Sequence, residues 1–175
     1  MGLDLREAIS SRRSIRSFSP QQVDRSVIDR ILLDANKAPS AGNLQARDFI
    51  VVTAVEVKKK IAEAALNQAF IAEAPVVVVV CANKARSMSK YGRRGANLYS
   101  ILDAALAAQN LMLSCINEGL GSCYVGAFNE GKVRKILGLP KTAVPVGIIP
   151  IGYPEENPIP TDRLPIEHIV HWEEW

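Results

Sequence analysis

Pro75-Val76-Val77-Val78-Val79-Val80-Cys81 is the stretch on which the fold turns. A proline opens it, and an unbroken run of β-branched side chains follows, with no polar residue at alternate positions. Such a run forms a strand covered on both faces, so the sheet that contains it carries helices above and below. Outward from that strand, the apolar spacing supplies the helices. Asp4 with Glu7 three residues later resembles a capping box, opening a short helix over Leu5, Ala8 and Ile9. Val23, Val27, Ile28, Ile31, Leu32 and Ala35 recur at helical spacing and predict a second helix that stops before Pro39. Phe49 to Ala54 reads as a strand, Val55 to Leu66 as a charged helix, and Pro39 to Asn43 as a loop.

Beyond the valine run, Ala96 to Glu118 is the longest predicted helix, apolar nearly all round, and Gly119 and Gly121 end it. A helix without a wet face is wrapped by protein on every side. In a chain of 175 residues this predicts that a second copy supplies part of the cover. A helix near Lys132 to Leu137 and a strand over Val144 to Ile151 follow. Pro145 and Pro150 predict that this strand is irregular or close to an edge. From Pro154 onward four prolines and no glycine describe an extended arm that reaches a partner. The expectation is one domain over 1–175, with 154–175 as the arm.

Composition removes several classes. The chain is 48% hydrophobic and 22% charged with a net charge of +3. Its basic residues form no long stripe with interleaved aromatics, so nucleic acid is not an expected partner. Cys81, Cys115 and Cys123 lack metal-type spacing and read as reduced core thiols, which predicts a cytoplasmic protein. No signal-type apolar stretch opens the chain. The apolar segment Ala104 to Asn117 falls short of the roughly 20 residues a membrane span requires, so no membrane is expected either.

Gly126 to Val133 nearly fits a phosphate-binding loop. However, Val133 stands where a hydroxyl must reach the magnesium ion, and Glu130 would face the phosphates, which argues against the phosphoryl-transfer reading. Gly119-Leu120-Gly121 lacks the third glycine of a dinucleotide fingerprint. His168 and His171 have no accompanying metal-type cluster, and no nucleophile–base pair emerges from spacing. What remains is Arg12-Arg13-Ser14-Ile15-Arg16-Ser17-Phe18, three guanidiniums and a hydroxyl within five residues. Arginines clustered in this way suit a phosphate-bearing ligand. A chain without side-chain machinery for hard chemistry borrows a cofactor.

Four segments now fall into one order: Arg12 to Phe18, then Ala38-Pro39-Ser40-Ala41-Gly42-Asn43-Leu44-Gln45, then Gly121-Ser122-Cys123-Tyr124-Val125-Gly126, then Pro150-Ile151-Gly152-Tyr153-Pro154. Together they resemble the FMN-dependent nitroreductase family, in a compact form without large insertions, over essentially the whole chain. The resemblance implies an α+β fold with a central, mostly antiparallel sheet flanked by helices. It also implies an intertwined homodimer with FMN at the subunit interface.

By position, Arg12, Arg13 and Ser14 would lie at the phosphate and ribityl end of FMN, with Arg163 adding a cation from the arm and Arg16 near the pyrimidine edge. Pro39, Ser40, Ala41, Asn43 and Gln45 would come from the other subunit. Asn67 would meet the polar edge of the ring, and Tyr124, Val125 and Gly126 the opposite edge. The implied activity is a ping-pong oxidoreduction in which NADH or NADPH is the donor and nitroaromatics, quinones or similar flat electrophiles are acceptors. No side chain is assigned a catalytic role, and no metal is implied. Alternatives within and outside the family are a dehalogenase, an enone or flavin reductase, a non-catalytic FMN-binding protein, and an interaction module whose basic loop takes another phosphate ligand. Two departures stand out. The stretch Tyr124 to Gly126 has no carboxylate, where many members carry a Glu, and Thr161 stands two before Arg163 where many members carry a second basic residue.

Overall fold

The computed structural model describes residues 3–175. Its chain order is α1 (Leu5–Ser11), α2 (Arg25–Asn36), β1 (Arg47–Val52), α3 (Val55–Ala64), α4 (Phe70–Glu73), β2 (Val76–Asn83), α5 (Lys84–Arg94), α6 (Ser100–Asn117), β3 (Gly121–Ser122), α7 (Glu130–Leu137) and β4 (Ala143–Gly152). The strands form one sheet in the order β1-β2-β4-β3, and every neighbouring pair is antiparallel. The valine run is its second strand, and Val77, Val78, Val79, Val80 and Cys81 are wholly buried.

Alternation along β2 divides the core in two. Val76, Val78, Val80 and Ala82 face Ile28 and Ile31 of α2 and Ala104, Ala108 and Leu111 of α6. Val77, Val79 and Cys81 face Ile61 of α3, Ile71 of α4 and Val133 of α7. Helices therefore cover both faces, as an all-apolar strand demands. Asp4 caps α1, its side chain accepting the N–H of Glu7 at 2.9 Å.

Of the two alternatives for β4, irregular or close to an edge, the irregular one holds. β4 is an inner strand, paired to β2 along its length and to the two-residue β3 at its end. It is irregular, as its prolines imply, because the register with β2 shifts where Val80 and Cys81 oppose Gly147 and Pro145. As expected, the long helix is not covered on all sides within one chain. Ile101, Leu102 and Leu106 of α6 and Leu98 just before it are exposed and form an apolar face. The helical run is also longer than the sequence suggests: α5, the π-helical turn Gly95–Tyr99 and α6 follow one another from Lys84 to Asn117, with a kink at Gly92 (φ 55°, ψ −142°). By length and composition alone this run could cross a membrane, but half of its most apolar window is buried within the chain, as for a core helix.

Candidate functional site

The limb Arg12–Phe18 leaves α1 extended and runs beside β3. Ile15 N–H donates to Ser122 O at 3.0 Å, and Ser14 forms a parallel bridge with Ser122. Farther along, Ser19 N–H donates to Tyr153 O at 2.9 Å and Glu155 N–H to Ser17 O at 3.0 Å. The Glu156 carboxylate accepts the backbone N–H groups of Arg16 and Ser17. These bonds fasten the N-terminal limb to the root of the C-terminal arm. Between limb and arm lies a cleft of about 480 Å³ lined by Arg12, Arg13, Ser14, Arg16, Pro158, Pro160, Thr161 and Arg163. All five residues assigned to the phosphate and pyrimidine end that lie in these two segments meet there.

Their guanidiniums are not equally available. Arg13 Nη1 donates to Ser10 O at 2.7 Å and Arg12 O at 2.9 Å, closing the end of α1. Arg163 Nη1 is turned onto its own arm, toward Thr161 Oγ1 at 2.8 Å and Asp162 O at 3.1 Å. Among the described residues, the side chains of Arg12 and Arg16 donate no hydrogen bond and join no salt bridge. Arg16 Cζ instead stands 6.0 Å above the Phe70 ring. Two unengaged forks beside a hydroxyl form a site suited to an oxyanion.

Cys123, the residue after β3, is buried. Burial pushes its thiol pKa up, while Arg16, Ser14 and Arg12 oppose that effect and Glu156 adds to it. The next residue, Tyr124, lays its ring on Gly147, where a Cβ would come within 2.4 Å of the ring. Only glycine permits that approach. The Tyr124 hydroxyl donates to Val146 O, the carbonyl at the β4 irregularity, and burial raises its pKa. Tyr124 therefore stays neutral at physiological pH with its proton directed into the sheet. Val125 and Ile148 exchange backbone bonds at 2.9 and 3.0 Å, which fixes Val125, but Tyr124, Val125 and Gly126 do not line the cleft.

Asn67 sits in a left-handed turn with Leu66, at φ 59° and 60°. Gln68 Nε2 ties this turn to Ala127 O at 3.3 Å, and Phe70, under Arg16, follows three residues later. Asn67 is thus on the same side of the fold as Arg16 and Gly126, although it does not line the cleft.

Pro39, Ser40, Ala41, Asn43 and Gln45 do not line the cleft of their own chain either. They form a separate loop whose anchors the sequence did not disclose. Asp103, buried in α6, accepts Ala41 N–H at 3.0 Å and Ala46 N–H at 3.3 Å. Arg47, also buried, donates to Asn36 O at 2.7 Å, Ala38 O at 2.9 Å and Pro39 O at 3.4 Å. Burial lowers the Arg47 pKa, and Asp103 counteracts the shift. Ser40 Oγ accepts Gln45 N–H at 2.9 Å, and Gly42 (φ 56°) supplies the left-handed turn.

Fold and cleft together define an α+β protein equipped to hold an anion at the edge of an antiparallel sheet. Comparison with known proteins makes this specific. The sequence pattern of the nitroreductase family matches residues 9–73 and 65–153, and the chain belongs to that family. It is 33% identical to the NADH dehydrogenase of Thermus thermophilus, over 97% of this chain and 96% of that protein. It is 31% identical to an FMN reductase (NADPH) of Bacillus subtilis, over 94% of this chain and 72% of the relative. The solved structure of the NADPH:FMN oxidoreductase of Vibrio harveyi complexed with NAD+ superposes with a TM-score of 0.89 at 28% identity, covering 97% of this chain and 76% of that one.

Proposed function

We propose that this chain is an FMN-dependent NAD(P)H oxidoreductase that acts as a homodimer and reduces flat electrophiles such as nitroaromatics and quinones by alternating donor and acceptor in one pocket. The observation that carries the reading is the pair of unengaged guanidiniums, Arg12 and Arg16, in one cleft with Ser14. The cleft fits FMN: it offers cations and a hydroxyl to a phosphate, and Arg16 stands over Phe70, three residues past Asn67. When bound, FMN would supply two-electron hydride chemistry that no side chain here provides.

The chain's own residues then have distinct tasks. Arg12, Ser14 and Arg163 hold the phosphate, while Arg13 braces the limb by closing α1. Arg16 places fixed positive charge where a reduced cofactor accumulates negative charge. Tyr124, with its hydroxyl turned into the sheet, presents only an apolar ring edge. With no carboxylate from Tyr124 to Gly126, that stretch supplies no side-chain proton to the acceptor. The exposed face of Leu98, Ile101, Leu102 and Leu106 and the exposed arm residues Ile159, Leu164, Ile166 and Trp172 support pairing of two copies. Such pairing brings the Pro39–Gln45 loop of one protomer to the cleft of the other. The whole of 1–175 then acts as one unit, with 154–175 as its arm.

The test is purification followed by reduction. The expected protein is yellow, or becomes so with added FMN, and its visible band bleaches with NADPH or NADH and returns with a quinone. A protein that takes up no FMN overturns the reading. One that binds FMN but oxidises neither nicotinamide supports a flavin-binding protein without turnover.

A further inference from the structure

The basic helix α5 is absorbed by neither the cleft nor the core. Lys84, Arg86, Lys90, Arg93 and Arg94 fall within eleven residues, and no carboxylate occurs from 84 to 102. Among the described residues, only Arg86 of these is neutralised, by Asp48 at 3.0 Å. Lys90, Arg93 and Arg94 are exposed. Two of them bracket an aromatic pair: Lys90 Nζ lies 5.5 Å from the Tyr91 ring centre, and Arg94 Cζ lies 5.4 Å from that of Tyr99. The two rings meet edge to face at 5.3 Å. Arg94 Nε donates to Tyr99 Oη at 2.9 Å, which orients its fork.

Within this cluster Lys90 and Tyr91 press on Gly42 of the Pro39–Gln45 loop. A Cβ on Gly42 would lie 2.4 Å from Tyr91 Oη and 2.9 Å from Lys90 Nζ. Arg86 Nη1 donates to Gln45 O and, at 3.0 Å, to Arg47 O. Loop and helix end are therefore one rigid surface. If the loop covers a cofactor, as the proposed function holds, the cations stand at the mouth of the same pocket.

We propose that Lys90, Arg93 and Arg94 form the subsite for the 2′-phosphate of the donor nucleotide and make NADPH the preferred donor over NADH. This inference rests on the proposed placement of the Pro39–Gln45 loop. The chemistry of the surface favours the phosphate form. An unphosphorylated ribose diol is recognised by a carboxylate acceptor, whereas a 2′-phosphate is recognised by arginine. Here three cations are offered and no carboxylate belongs to the segment. Asp103, the next acid in sequence, is buried and engaged by two backbone N–H groups.

The experiment compares NADPH and NADH as donors for the FMN-loaded protein and, in parallel, measures calorimetric binding of adenosine 2′,5′-bisphosphate and adenosine 5′-monophosphate to it. The expected result is tighter binding of the bisphosphate and a kcat/KM ratio that favours NADPH. In Arg93→Ala that ratio falls about tenfold or more, the worth of one charge-assisted contact, and Arg93→Glu moves it further toward NADH. Lys59→Ala, on α3, leaves the ratio as it was. Equal binding of the two nucleotides, or an unchanged donor ratio in both Arg93 variants with FMN still bound and reduced, overturns this inference while leaving the oxidoreductase reading intact. Failure to take up FMN removes both.

Discussion

Arg47 and Arg12 are the same side chain in opposite circumstances. Arg47 is buried and its guanidinium is divided among three backbone carbonyls. Arg12 lines an open cleft and, among the described residues, its side chain donates to nothing. An arginine engaged with backbone holds the fold, because removing it strands buried carbonyls. An arginine in a cleft without a protein acceptor costs the fold little and is available to a ligand. Composition cannot tell the two apart; their partners do.

The contrast breaks most visibly at Arg47. Arg47→Met should lower the unfolding free energy by about 3–5 kcal/mol, since several buried acceptors lose their donors at once. A urea transition displaced by less than a surface substitution would produce, roughly ±0.5 kcal/mol, would remove Arg47 from the structural class. Arg12→Ala should behave in the opposite way: FMN binding weakens by about 1.5–3 kcal/mol while the transition of the flavin-free protein does not move. Fluorescence titration and urea unfolding on the same preparation separate the two quantities.

Asp103→Asn sharpens the comparison from the loop side. The amide can still accept one of the two N–H groups, so the loss should be smaller, about 1–2 kcal/mol. It should appear locally, as faster hydrogen exchange at Ala41 and Ala46. Unaltered exchange there would mean that the loop does not depend on α6.

The smallest effect is a pH dependence set by the buried thiols. Burial pushes Cys81 and Cys115 up to about 12 from an ordinary value near 9.0. Because the folded pKa is raised, the neutral thiols contribute fully below about pH 9, where the unfolded chain also keeps its protons. Above that the unfolded state ionises first, and stability is lost progressively toward pH 12. Thermal melts from pH 8 to 11 should fall, and the double replacement Cys81→Ala with Cys115→Ala should flatten that part of the decline.

How much of this was legible in the sequence follows the same division. The valine run announced a strand covered on both faces, because side-chain apolarity is local information. Arg12 to Arg16 announced an anion site for a similar reason, since three forks lie within five residues. The α5 helix escaped notice: with few apolar side chains at helical spacing and a glycine at 92, it gives no periodic signal. The loop anchors escaped too. Asp103 acts on backbone groups 62 and 57 residues away, and Glu156 holds N–H groups 140 and 139 residues away, pairings that only the folded topology creates. The resemblance recovered strand direction, which apolarity alone left open.

The most direct test of the unengaged-arginine account is a paired titration of the flavin-free protein with FMN and with riboflavin, which differ by the phosphate alone. The account predicts that FMN binds at least about a hundredfold more tightly, two charge-assisted contacts' worth, and that Arg12→Ala removes most of the difference. Equal affinity for the two flavins would show that the guanidiniums of the cleft do not hold a phosphate, and would contradict it.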